Sequence, residues 1–384
     1  METRKLYYED CHLARFGARV ESCQATQAGY WITLDATAFY PEGGGQACDL
    51  GTLGEARVLD VQEREGQVAH LCDKPLTPGA RVEGAIDYPR RFDLMQQHTG
   101  EHIVSGIIHA RYGYHNVGFH MGADMVTIDF DGPIPAEALP EIEAQANEAV
   151  WRNLPLRVWY PGPEELPTVA YRTKRPLPWP VRIVEVPDID RCACCGVHVA
   201  ATGEVGLVKL FSCVKFHQGV RLEMACGGRA LAYLSAVFDQ NRQVSQAFSA
   251  KILETGEAAR RMNEALAAEK FRVTGLRRRI FGEIARDCAG GGDVLRFEPE
   301  LAPAEVRELA DAMAESCGGI AAVFSGTDET GYGYCLAARQ GDLRGMGREM
   351  TQSLRGRGGG KPGFQQGSVR ASADEIRAFF TSRR

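Results

Sequence analysis

No stretch of about 18 consecutive apolar residues occurs in this 384-residue sequence, so we expect no membrane-spanning helix. Residues 1–5 do not lead into the apolar core of a signal peptide. The chain also lacks an excess of positive charge, since its formal net charge is −6. A nucleic acid would therefore have to contact local patches. These absences predict a cytoplasmic protein without a membrane partner.

Two catalytic motifs are missing as well. The phosphate-loop pattern Gly-x-x-x-x-Gly-Lys-[Ser/Thr] does not occur, so nucleotide hydrolysis is not expected. The Asp-His-His motif of certain phosphoesterases is also absent. The 12 cysteines are scattered along a chain without a signal segment. This distribution favours reduced thiols and metal ligation over a disulfide framework.

Two histidines four residues apart, His98 and His102, form the first half of a candidate metal site. Residues four apart on a helix share one face, so both imidazoles can turn toward one ion. Cys194 and His198 supply a second pair at the same spacing. Imidazole nitrogen and thiolate sulfur suit zinc, and such a site is tetrahedral. The two pairs predict zinc, either in a catalytic site with an open position or in a purely structural one.

The sequence leaves the exact ligand set open. Cys194 is favoured by its spacing from His198, whereas Cys195 lies three residues from that histidine and Cys192 is a third candidate. His198 is either a fourth ligand or a supporting neighbour of the other three.

Longer stretches around both pairs show a resemblance to a known family. Residues 96–103, Gln-Gln-His-Thr-Gly-Glu-His-Ile, and residues 194–206 resemble the two zinc motifs of alanyl-tRNA editing domains. The family commonly has Cys-Gly-Gly-Thr-His where this chain has Cys-Cys-Gly-Val-His. Glycine-rich segments at 39–46 and 358–362 also resemble the family. Over nearly its whole length the chain is similar to the long free-standing alanyl-tRNA editing proteins, AlaX.

The fold class predicted is α+β and multidomain. Residues 1–90 hold short β-rich runs between glycine clusters, which indicates a β-barrel-like domain. Residues 91–235 mix helix and strand patterns around the zinc motifs, as expected for a zinc-containing α+β editing domain. Residues 236–289 have a helical composition, which predicts a long linker or hairpin. Residues 290–384 indicate an α/β, glycine-rich domain that resembles the family's tRNA-binding C-terminal domain.

The resemblance implies an enzyme, an aminoacyl-tRNA deacylase that acts in trans. A synthetase pocket sized for alanine cannot exclude glycine, and it rejects serine by only about 1–3 kcal/mol. The implied substrates are tRNA(Ala) mischarged with serine or glycine. Two alternatives stay open. One is a noncatalytic tRNA-binding protein with a structural zinc, and the other is an editing hydrolase for another mischarged tRNA.

Three residues of the first motif are candidates for catalysis. Glu101 is either the general base that activates water or a surface carboxylate. Gln97 and Thr99 are expected to contact the amino acid or the terminal adenosine. Which group activates the water is not decided by the sequence.

The glycine-rich segments are candidates for substrate binding. The first is either an ordinary turn or a border of the amino-acid pocket, and it consists of Gly43, Gly44, Gly45 and Gln46. The second permits close approach of backbone N–H groups and a lysine to tRNA phosphate, and it consists of Gly358, Gly359, Gly360 and Lys361. Residues 341–384 carry nine Lys or Arg against four Asp or Glu, a net charge of +5.

Apolar residues recur at helical spacing between residues 229 and 287, with glycines at 256 and 275. This stripe either packs on its own chain or joins two copies. Since similar proteins form dimers through this region, the resemblance implies a homodimer.

Overall fold

A computed structural model describes residues 2–173, 177 and 179–382. The chain divides into two compact units, Met1–Gln243 and Val244–Arg384. Both units mix helices and sheets, so the prediction of a mixed, multidomain protein is confirmed. The four predicted domain ranges stay predictions.

The first unit begins with a domain of short strands. They are β1 (Arg4–Lys5), β2 (Arg15–Thr26), β3 (Gly29–Leu34), β4 (Ala36–Thr37), β5 (Gly51–Leu53), β6 (Ala56–Arg64), β7 (Gln67–Cys72) and β8 (Arg81–Ile86). Six of them pair in the closed order β2-β3-β7-β6-β5-β8 and form an antiparallel barrel. The remaining two, β1 and β4, pair in parallel.

Alternation along the strands builds the barrel core. In β2, Phe16, Ala18 and Val20 are buried while the residues between them are exposed. Successive side chains of a strand point to opposite faces, so this pattern sends the apolar set inward. The barrel interior is filled by these residues together with Ile32, Leu34 and others of the same cluster.

The rest of the first unit surrounds one long helix. Its elements are α1 (Tyr88–Tyr112), β9 (Asn116–Met121), β10 (Val126–Phe130), α2 (Leu139–Trp151), β11 (Arg157–Trp159), β12 (Ile183–Val186), β13 (Asp190–Ala193), β14 (Val208–Phe216), β15 (Gly219–Cys226) and α3 (Gly227–Ala247), which crosses into the second unit. The strands form two antiparallel sheets, β14-β15-β10-β9 and β11-β12-β13.

Helix α1 has well-defined ends. The Asp87 side chain accepts a hydrogen bond from the backbone N–H of Arg90, and Pro89 lies in the first turn. Gly113 ends the helix with φ +73°, a conformation that glycine adopts without strain. Gly100 lies on the buried side, where an added Cβ would meet the Cys226 sulfur at 2.1 Å. The helix therefore packs directly on β15.

The second unit is a sheet covered on both faces. It contains α4 (Thr255–Asp287), β16 (Gly292–Phe297), α5 (Pro303–Ala314), β17 (Gly318–Thr327), β18 (Gly331–Ala337), α6 (Arg344–Ser353), β19 (Arg357–Lys361), β20 (Phe364–Val369) and α7 (Ala373–Thr381). The strand order is β16-β17-β18-β20-β19. In β17, Ala321 and Val323 join one core cluster while Ala322 and Phe324 join the other.

The helical region differs in detail from its prediction. The helix is interrupted between Ala247 and Thr255, and α4 continues through Gly256 and Gly275. Gly256 lies in the first turn of α4 and Gly275 in its exposed interior, where a glycine costs a helix only about 1 kcal/mol. Among the described residues, no helix combines the length and apolarity needed to cross a membrane.

A buried ion pair joins α1 to the barrel. Arg91 and Asp49 are both fully buried, and Arg91 Nε donates to Asp49 Oδ1 at 2.9 Å. Arg91 Nη2 also donates to the Ala38 carbonyl at 2.6 Å, and Asp49 accepts from the Tyr40 N–H. The pair fixes the N-terminal part of α1 about two turns before His98.

Replacing Asp49 with Asn should destabilise the protein by about 3–5 kcal/mol, because the Arg91 charge is then buried without a counter-ion. Urea unfolding followed by circular dichroism measures this loss. Glu83→Gln is the control, since it breaks the exposed Arg15–Glu83 pair of the same domain and should change stability little. Equal midpoints for both variants would contradict the role given to the buried pair.

Candidate metal centre and active site

Two elements of the first unit deliver the predicted metal ligands. Helix α1 presents His98 and His102, which are 2% and 3% exposed. The loop after β13 presents Cys194 and His198. Arg182 holds this loop, because its Nη1 donates to the carbonyls of Cys194 and Gly196 at 2.8 and 2.9 Å.

Gly196 permits the close approach of the loop to the helix. An added Cβ at this position would lie 2.1 Å from His98 Cε1. No side chain fits in that space, so the loop can reach the helix only with glycine here.

The four groups converge on one point. One ligand atom from each of His98, His102, Cys194 and His198 lies within 4.8 Å of the others. Cys194 Sγ is 3.4 Å from both His98 Nε2 and His198 Nε2. Three imidazoles and a thiol at these separations are a suitable donor set for a tetrahedral ion.

Each imidazole has a protein oxygen within 3.2 Å of its Nδ1 atom. Gln46 Oε1 lies 2.9 Å from Nδ1 of His98, Asp190 Oδ2 lies 3.1 Å from Nδ1 of His102, and Thr99 Oγ1 lies 3.2 Å from Nδ1 of the third histidine. Such partners orient metal-binding histidines and set their tautomers.

The tautomer of His98 follows from the geometry. Gln46 Oε1 also accepts the Val197 N–H at 3.1 Å, so this atom is the amide oxygen. His98 Nδ1 must then carry a proton and donate it. The lone pair of His98 is left on Nε2, which faces the cluster.

The pKa shifts of Cys194 and His198 fit a metal. Burial raises the pKa of the Cys194 thiol, but the imidazoles of His98 and His198 outweigh this effect and bring the pKa well below its usual value. Burial, assisted by the two neighbouring histidines, lowers the pKa of His198 to about 3. A thiolate and a neutral imidazole are the forms that ligate zinc. His102 differs, because burial lowers its pKa but its contacts with Asp190 and Cys194 outweigh burial and raise that pKa well above its usual value.

The three candidate cysteines take different positions. Cys194 belongs to the four-residue cluster. Cys195 is exposed, and its Sγ accepts a hydrogen bond from the Tyr40 hydroxyl at 3.8 Å. Cys192 belongs to a second group with His102 and Asp190.

A cavity of about 810 Å³ opens at the cluster. Glu101 lines it and is 4% exposed. One carboxylate oxygen, Oε1, accepts from Ser105 Oγ and from Asn116 Nδ2, the latter at 2.6 Å. The other, Oε2, lies 3.9 Å from His102 Nε2 and accepts no hydrogen bond from the described residues. Glu101 is thus held at one oxygen and free at the other, beside the cluster.

Three side chains predicted to contact substrate have protein partners in the structure. Gln97 is fully buried, and its amide is paired with the backbone N–H and C=O of Cys226. Thr99 is also buried and contacts His198 and the Val199 N–H. Gln46 faces His98 rather than the cavity. These polar side chains have protein partners, because α1 is buried on nearly all sides.

The residues of the first glycine segment, 43–46, do not all line the cavity. Gly44 and Gly45 line the cavity. Gly45 has φ +85°, and an added Cβ would lie 2.6 Å from the Phe119 ring, which also lines the cavity. Gly43 instead pairs with Gln46 in a tight turn and accepts from the Tyr40 hydroxyl.

The second glycine segment belongs to the second unit. Gly358, Gly359, Gly360 and Lys361 lie in β19, an exposed edge strand that pairs only with β20. They form regular strand rather than a loop. Position 360 accommodates only glycine, since a Cβ would lie 2.1 Å from the Phe364 carbonyl oxygen.

Sequence reasoning missed the residues that support the site from other elements. Asp190 holds His102 and is itself paired with Arg172 through Nε at 2.6 Å. Asn116 orients Glu101. Neither lies in a recognisable motif, and each reaches the site through strand pairing.

The comparisons with known proteins agree with this geometry. The family described as "tRNA synthetases class II (A)" matches residues 2–90, which include the barrel. The family described as "Threonyl and Alanyl tRNA synthetase second additional domain" matches residues 181–221, which include the loop with Cys194 and His198.

Full-length relatives extend the match. The chain is 26% identical to the alanyl-tRNA editing protein Aarsd1 of Mus musculus, covering 95% of this chain and 93% of that protein. It is 28% identical to the alanyl-tRNA editing protein Aarsd1-B of Xenopus laevis, covering 94% and 89%. The resemblance to the alanyl-tRNA editing proteins is confirmed. The chain is also 32% identical to an alanine–tRNA ligase of Thermofilum pendens, of which it spans only 42%.

The positions of Cys194 and Cys195 in the structure predict opposite effects of their substitution on metal binding. Cys194→Ser should lose the bound metal, because the cluster loses its thiolate. Cys195→Ser is the matched control and should keep it. The metal content of both purified variants, measured by mass spectrometry, checks this prediction. If Cys194→Ser retained the metal and Cys195→Ser lost it, Cys195 rather than Cys194 would be the ligand.

The contact between Gln46 of the barrel domain and His98 predicts an effect on metal affinity. Gln46→Ala should weaken metal affinity by about 10- to 100-fold, because His98 loses the oxygen that orients it. Competition with a chelator measures this change. Gln24→Ala, an exposed position in the same domain, should leave affinity unchanged. An unaltered affinity in the first variant would show that Gln46 does not orient the ligand.

Proposed function

We propose that this chain is a trans-editing hydrolase that deacylates tRNA(Ala) mischarged with serine, and also tRNA(Ala) carrying glycine. The convergence of three oriented imidazoles and a thiolate on one cavity is the observation that supports this proposal. Relatives named alanyl-tRNA editing proteins match nearly the whole chain. An amino acid and a terminal adenosine are the parts of the substrate that enter the cavity.

The residues that would hold zinc are His98, His102, Cys194 and His198. When bound there, zinc supplies a Lewis acid that lowers the pKa of water or polarises the ester carbonyl. Their orientation fits this role, because the Nε2 atom of each helix histidine faces the cavity side of the site.

Glu101 is positioned to act as the general base. Ser105 and Asn116 occupy Oε1, so the carboxylate cannot rotate freely and Oε2 faces the cavity. Oε2 would accept a proton from the attacking water and then deliver it to the ribose oxygen that leaves. A positioned base of this kind contributes about 10²- to 10⁴-fold to a rate.

The walls of the cavity bear on which amino acid the site accepts. Phe119 lies against the His98 ring, with centroids 5.3 Å apart, and forms the part of the cavity wall that adjoins Gly45. A small pocket distinguishes amino acids that differ by one group only modestly. The hydroxyl of serine must therefore be recognised by polar atoms, and Glu101 is the one carboxylate among the described residues that line the cavity.

The tRNA and a second copy are the proposed partners. The exposed strand with Gly358, Gly359, Gly360 and Lys361 is proposed to contact tRNA phosphate through its backbone and its lysine. Phe238 and Phe271 are 52% and 83% exposed on α3 and α4. Exposed rings of this size favour a homodimer through these helices.

The purified protein should release serine from seryl-tRNA(Ala) much faster than alanine from alanyl-tRNA(Ala). Zinc chelation should stop the release, and restored zinc should recover it. Firm tRNA binding with intact esters would instead favour a noncatalytic, zinc-stabilised binding protein. Release of another amino acid from another tRNA would favour a different editing specificity.

Glu101→Gln tests the base. Because it keeps the shape of the side chain but cannot take up the proton, kcat should fall by at least about 100-fold. Metal content should stay at the wild-type level. Glu137→Gln, an exposed carboxylate outside the cavity, is the matched control. A wild-type kcat in the Glu101 variant would remove this residue from the mechanism.

A further inference from the structure

Two large aromatic rings are exposed in the segments that border the metal-site cavity. Tyr160 lines the cavity and is 52% exposed, and Trp179 is 58% exposed. The indole N–H of Trp179 donates to the Pro161 carbonyl at 3.2 Å. This bond places the Trp179 ring beside the segment that carries Tyr160. Pro180, the next residue, again lines the cavity.

A positive charge lines the same cavity. The Arg182 guanidinium lies 4.4 Å from the centroid of the Tyr8 ring. Its Nη1 is bonded to two backbone carbonyls, and it forms no ion pair with a carboxylate in the part of the chain that the structure describes. A cation without a carboxylate partner, in the cavity that Tyr160 also lines, matches a ligand that has both π faces and negative charge.

The proposed reaction restricts what this ligand is. The ester bond is at the 3′ end of the RNA, so the terminal nucleotide must enter the cavity and the preceding unpaired nucleotides must cross its mouth. Stacking on exposed aromatic rings and contact with cations is the usual recognition of single-stranded nucleic acid.

We propose that Tyr160 and Trp179 form a stacking platform for the unpaired 3′ nucleotides of the RNA, with Arg182 facing their phosphates. This inference rests on the proposed function. It assigns substrate binding to Tyr160, Trp179 and Arg182, which lie outside the zinc motifs.

Alanine substitutions test the platform. Tyr160→Ala and Trp179→Ala should each raise KM for seryl-tRNA(Ala) at least about fivefold, as expected for loss of one stacked base. kcat and metal content should stay at wild-type values. Tyr160→Phe and Trp179→Phe keep a ring and should keep most of the affinity. Trp151→Ala is the matched control, since Trp151 is 74% exposed at the end of α2 and does not line the cavity.

A binding measurement separates this inference from the hydrolysis. Uncharged tRNA with an intact 3′ end should bind the wild-type protein more tightly than the same tRNA without its unpaired 3′ nucleotides. The two alanine variants should lose this preference, and Trp151→Ala should retain it. If the preference follows the rings but no ester is cleaved, the proposed function fails and the platform stands. An unchanged KM and an unchanged preference in both alanine variants would overturn the platform.

Discussion

The contact of each cluster histidine with a protein oxygen at Nδ1 is the constraint on which the site depends. The three oxygens come from different places: Gln46 from the barrel domain, Thr99 from α1 and Asp190 from β13. Each fixes a ring whose other nitrogen faces inward. The arrangement requires the barrel, the helix and the small sheet to be packed together before the ligands take their positions.

The ligand pairs could be predicted from the sequence because their geometry is local. His98 and His102 share a face by helical periodicity, and Cys194 has the same spacing from His198. Strands such as β3 and β17 could also be predicted from the sequence, since period-2 alternation and β-branched residues indicate strands. Residues 30–34 and 320–324, which are rich in apolar and aromatic side chains, lie within these two strands.

The surroundings of the site could not be read in the same way. Whether Gln97 and Thr99 face substrate or protein depends on what covers α1, and that is decided by distant strands such as β15. Asp190 and Asn116 reach the site through sheet pairing. The sequence does not indicate which element such residues face. Tertiary packing sets the direction of a side chain as much as periodicity does.

The contact between Gln46 and His98 has a thermodynamic consequence. A ligand that binds only the folded arrangement stabilises every part of the molecule that the arrangement requires. The barrel supplies no ligand atom to the cluster, yet one of its side chains orients a ligand. Ion uptake and barrel stability would therefore be reciprocal: a bound ion would protect the barrel against unfolding, and a loosened barrel would release the ion more readily.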